Sequence, residues 1–132
     1  MTNKKKKEGL QTTESPEPLV IENATFENTL RANLEEIRDY DGIVGYILKN
    51  TNSASIDLKD PAKITDYAIL SSTTFDSTEE LSKLFNLEGI EDIIISGKNL
   101  KMISLTIEKN RISIFLENSS DADRVLKKIQ MA

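Results

Sequence analysis

The residue types that this 132-residue chain lacks narrow its chemistry before those it has: there is no His and no Cys. Without His it lacks the usual general base near neutral pH and the commonest transition-metal ligand; without Cys it has no thiolate nucleophile, disulfide or thiolate zinc site. Ser-His and Cys-His catalysis cannot be built from it, and any catalysis would rest on carboxylates, Lys, Tyr or backbone. Four consecutive hydroxyls, Ser71, Ser72, Thr73 and Thr74, sit in the helical-looking stretch ILSSTTFDS. With neither His nor a G-x-S-x-G elbow, Ser71 or Ser72 could act as a nucleophile only in a rare serine–lysine arrangement. Glu117, Asp121 and Asp123 lie close in sequence, but calcium needs six or more oxygen ligands and no D-x-D-x-D-G loop is present. Acids there suit a helix N-terminus, where the dipole favours negative charge by a few tenths to about 1 kcal/mol. Neither G-x-x-x-x-G-K-S/T nor G-x-G-x-x-G occurs among five glycines, so neither phosphate-cradling loop is available. No metal and no cofactor is expected.

Charge and hydropathy narrow the class further. The formal net charge of -5 and pI of about 4.8 argue against a nucleic-acid binder, whose affinity comes largely from basic side chains on phosphates. Hydrophobic residues make up 38% and charged residues 30%, and no apolar run is long enough for stable membrane insertion. Lys4 to Lys7 are followed by Glu8 and a polar stretch rather than an apolar one, so no secretory signal is read and the cytoplasm is the expected compartment. The length suits one domain. Residues 1–23, with the lysine run, scattered Thr and Glu, and SPEP, read as a disordered tail ahead of a domain at 24–132.

The elements follow from periodicity. Phe26, Leu30, Leu34, Ile37 and Tyr40 share one arc of a helix over Ala24 to Tyr40, which Asp41-Gly42 stops. IVGYIL (43–48) is apolar on both alternating faces, a strand buried on two sides, and NTNS turns it into ASIDL. Asp60-Pro61 opens a long helix to about Phe85. After the loop NLEG come IEDIIISG, LKMISLTIE and RISIFLE, a three-stranded meander with turns at Gly97–Asn99 and Lys109-Asn110. Ser120 to Asp123 caps a last helix with Ala122, Val125, Leu126 and Ile129 on one face. The order α-β-β-α-β-β-β-α, with both sheet faces apolar, predicts a three-layer α/β/α sandwich around a five-stranded antiparallel sheet.

That order, with DGIVGYILKN, DYAILSSTTFDSTEELSKLF and EDIIISGKNLKMISLTIEKNRISIFLE in successive places, resembles the roadblock (dynein light-chain) family over about residues 26 to 131. NTNSAS departs from the Asp-Gly turn that the family often has before its second strand. The resemblance implies a non-catalytic platform: a dimer joined edge to edge through the strand after the central helix, acting as partner or regulator of a small Ras-like GTPase. On this chain the pairing strand would be Ile93, Ile94, Ile95 and Ser96, beside the helix Ile64 to Phe85. The residues agree in part, because an apolar edge strand without a blocking charge invites pairing and self-complementary contacts are the commonest route to dimers. The same strand could instead be internal to a monomer's sheet.

Any GTP would belong to the partner. Arg31, Arg38, Arg111 and Arg124 raise the possibility of an arginine finger given in trans, but nothing singles one out: Arg111 reads as a solvated strand residue and Arg38 as a surface partner of Glu35 or Asp39. On a helical wheel Ser71 and Thr74 fall with Ile64, Tyr67, Ala68, Leu70, Phe75, Thr78, Leu81 and Phe85, the expected sheet-facing arc. Ser72 and Thr73 fall instead with Ile69, Asp76 and Glu80, an expected surface for a dimer mate's or partner's helix. A small-ligand sensor with a pocket between helix and sheet is the alternative reading, against which stands a predicted core of Ile and Leu without convergent polar groups.

Overall fold

The structure, a computed structural model, describes residues 18–131. Helix α1 (Pro18–Arg38) starts with proline at a first helical position, whereas the sequence puts the boundary between tail and domain at residue 24. Residues 1–17 of that expected tail lie outside the described residues. Leu30, Leu34 and Ile37, spaced three and four apart, are wholly buried. The chain then reverses through Gly42 at φ 82° into β1 (Ile43–Lys49) and β2 (Ala54–Leu58). In place of an Asp-Gly turn, Asn50 closes this hairpin by accepting at Oδ1 from the Asn52 and Ser53 amides, both at 2.9 Å.

Asp60 accepts from the Ala62 amide and opens a single 3-10 turn (Pro61–Lys63) that runs into α2 (Ile64–Phe85). Helix α2 ends at Asn86, which takes the left-handed conformation. The meander is β3 (Asp92–Ser96), β4 (Leu100–Ile107) and β5 (Asn110–Glu117), followed by α3 (Ala122–Gln130). All pairings are antiparallel, in the order β2-β1-β5-β4-β3. α1 and α3 cover one face and α2 the other, so the expected three-layer sandwich is the fold. Among the described residues no helix is long and apolar enough to cross a membrane.

Two local expectations are corrected. The turn between β4 and β5 is Glu108–Lys109, with Glu108 at φ 56° and Asn110 buried opposite Ile107. Register set by the inward Ile112, Ile114 and Leu116 outranks the local preference of asparagine for the turn. The N-cap of α3 is Asp121, which accepts from the Arg124 amide, and not Ser120. The Ser120 hydroxyl is already used, donating to the Asp41 carbonyl at 3.0 Å.

A bulge between Ile43 and Gly45 shifts the β1–β5 register. Gly45 has φ 155°, and a Cβ there would meet the Asp57 carbonyl and lie 2.7 Å from the Leu58 Cα. Only glycine lets β2 approach β1 this closely.

Candidate functional site

Among the described residues, large apolar side chains are exposed on α2 and on both edge strands, Ile56 on β2 and Ile94 and Ile95 on β3. Strand β3 is one of the two edge strands, with β2 at the other edge, and it pairs on one side with β4: Ile93 opposite Ser104, Ile94 opposite Ile103, Ile95 opposite Met102, Ser96 opposite Lys101. Ile103 belongs to the core under α1 and α3, and Met102 to the core under α2. By strand alternation Ile94 therefore faces the α1/α3 layer, while Ile93 and Ile95 face α2. Ile94 is 44% and Ile95 40% exposed. Among the described residues no strand pairs with the outer side of β3, so this short strand offers free backbone donors and acceptors flanked by apolar side chains, a template for adding a strand.

The four hydroxyls of α2 divide as the wheel predicts. Ser71 and Thr74 are buried, while Ser72 and Thr73 are exposed with Asp76, Glu80 and the 60%-exposed Ile69. Ser71 Oγ lies 2.6 Å from Ser113 Oγ, which lies 2.9 Å from Ser104 Oγ. This buried chain of three hydroxyls joins α2 to β5 and β4, each link contributing about 0.5–1.5 kcal/mol. The hydroxyl that sequence offers as a nucleophile is thus committed to holding the helix down. Thr74 and Thr78 donate to carbonyls one turn back, Leu70 and Thr74. Beside the serines, Tyr67 stacks on Phe115 with centroids 4.5 Å apart.

Leu81 and Phe85 depart from expectation. Placed by the wheel against the sheet, they are 48% and 68% exposed, and Leu84 and Leu87 join them at 73% and 51%. A helix of 22 residues extends about 33 Å, whereas a strand as long as β4, eight residues, covers about 27 Å. The last turns of α2 thus carry an apolar overhang, side chains that the sheet does not cover. Ser104, Ser113, Leu84 and Leu87 are the residues that sequence reasoning misses. The serines had a signal, since they stand opposite one another in the meander; the overhang had none in the periodicity.

The arginines are occupied. Arg38 Nε pairs with Asp57 Oδ1 at 2.9 Å rather than with Glu35 or Asp39, because the last turn of α1 lies over β2; Arg31 donates to Ser55 Oγ on the same strand. Arg111 is latched to α2, donating to Glu79 at 2.7 Å with its guanidinium 5.3 Å from the Phe75 ring centre, which replaces the reading of a merely solvated residue. Arg124 lies 4.0 Å from the Tyr40 ring centre.

Neither a protein-family model nor a curated protein matches the chain. Solved structures do match in shape. The roadblock/LC7 domain from Streptomyces avermitilis superposes with a TM-score of 0.61 at 10% identity, over 78% of this chain and 87% of that one. Myxococcus xanthus MglB gives 0.65 at 13% identity, over 79% and 81%. A structure of MglB with a tetrameric arrangement gives 0.62 at 16% identity, over 82% and 84%. At these identities the likeness establishes the fold: the chain has the roadblock architecture.

Proposed function

We propose that this chain is a non-catalytic scaffold that joins a second copy through β3 and binds a small Ras-like GTPase, or a related roadblock-type subunit, with the exposed face of α2. The observation that carries the reading is the open apolar edge at Ile93 to Ser96. A twofold pairing of β3 with its copy would satisfy both edges at once, with the overhanging Leu81, Leu84 and Phe85 beside it. The tetrameric MglB supports this as a neighbour of the same fold that self-assembles. Regulation of a GTPase is what resemblance to roadblock domains implies. On this chain the acidic Asp76 and Glu80 flank the small, apolar-edged patch of Ile69, Ser72 and Thr73, which suits a partner surface with a basic rim. The compartment on this reading is the cytoplasm, and the partner holds the nucleotide.

Light scattering after size exclusion tests the first half: the wild-type protein runs as a dimer at micromolar concentration and Ile94→Arg as a folded monomer. A wild-type monomer would sink the pairing. Pull-down from the native organism tests the second half, with Thr73→Arg, exposed and outside the core, expected to keep the fold and lose the GTPase.

A further inference from the structure

Between the C-terminal half of α2 and the sheet a half-open cavity of about 310 Å3 is left. Phe75, Ile90 and Ile93 supply apolar wall, Thr78 and Ser104 bring hydroxyls, and Lys83 stands exposed at the rim. Two features keep the space open. Asn86, Glu88 and Gly89 take positive φ, and the Gly89 amide donates to Ser82 Oγ at 2.9 Å, folding the loop back onto the helix rather than into the gap. On the sheet side the residues under the helix, Ser104 and Thr106, are small. The Thr78 hydroxyl already donates to the Thr74 carbonyl and the Ser104 hydroxyl is bonded to Ser113, so Lys83 at the rim is the polar group offered to a ligand, in a cavity within the size range of small-molecule sites.

We propose that this cavity is a binding site for a small amphipathic acid, an apolar chain or ring carrying one carboxylate. The apolar walls take the body. Lys83 takes the head: it makes no ion pair among the described residues, whereas Arg111, also at the cavity, is already held by Glu79 and Phe75. A second copy inserting Leu84 or Phe85 is the competing occupant, but such a plug is wholly apolar and leaves the lysine unused. The site shares its Ile93 wall with the edge proposed for a second copy, so the Ile94→Arg monomer separates the two readings.

Octanoate and octanol are the probes, followed by amide chemical shifts of the full chain. Octanoate is expected to give saturable shifts centred on Thr78, Ile93 and Ser104. Thr78→Leu fills the cavity and should abolish them. The exposed Lys83→Gln, which leaves packing untouched, should weaken octanoate about tenfold, the scale of one charge-assisted contact, and leave octanol unchanged. The proposal is overturned by shifts centred elsewhere, by undiminished binding to Thr78→Leu, or by an unchanged octanoate affinity in Lys83→Gln. It is equally overturned if octanoate binds the Ile94→Arg monomer but is excluded from the dimer, which would assign the cavity to the second copy.

Discussion

Among the described residues, thirteen buried residues form one largely aliphatic core on the α1/α3 side of the sheet, whereas the apolar cluster on the α2 side is Ile47, Leu58, Met102 and Phe115, beside buried Ser71, Thr74, Ser104 and Ser113. Two helices press on the first face; a single helix, anchored by three serines and a Tyr67–Phe115 stack, covers the second and leaves most of its own surface exposed. The difference separates two jobs. Stability is concentrated where Leu and Ile interdigitate, and the opposite face can carry hydroxyls, a cavity and an overhang because it is not asked to hold the fold alone.

Substitutions that probe each face measure that division. Leu34→Ala, in the aliphatic core, should cost about 3 kcal/mol in denaturant unfolding, while Leu84→Ala on the overhang should stay within about 0.5 kcal/mol for the monomer. Equal costs would erase the contrast. Ser113→Ala should cost roughly 1–2 kcal/mol, because it strips Ser71 and Ser104 of their shared partner; a neutral result would mean the helix is held by the aromatic stack instead. The smallest effect belongs to Tyr46, in the aliphatic core. Its phenol is pushed above its ordinary 10.0, first by burial and then by Asp57 and Glu35. The folded protein then holds this proton more tightly than the unfolded chain, so the associated stability is complete below about pH 10 and is lost as pH rises through the higher folded value. Tyr46→Phe should flatten that alkaline decline in a melting series.

The aliphatic face was the more legible in sequence for the same reason that it is stable. Leu30, Leu34 and Ile37 repeat at helical spacing, and Ile112, Ile114 and Leu116 at strand spacing, so periodicity names both the elements and their buried sides. The α2 face was legible for Ser71, Thr74, Ser72 and Thr73, but not for Leu81 and Phe85, because a wheel gives direction around a helix and not where the sheet beneath it stops. Nor could three consecutive isoleucines reveal that β3 is an edge. A strand apolar on both faces looks the same whether its neighbour is the chain itself or another molecule. Ser120 and Asp121 are both competent caps, and only the Asp41 carbonyl, 79 residues away from Ser120, decides between them.

The place of β5 between β1 and β4 also governs when the molecule can form. Strand β1 is complete at residue 49, but its inner neighbour runs from 110 to 117. A growing chain holding α1, β1 and β2 has a hairpin whose apolar strand is bare along one side. The three elements that follow must be synthesised before it is covered, so closure is a late, long-range step of the kind that slows folding. During synthesis the vulnerable edge is therefore that of β1, and only after release does it become that of β3.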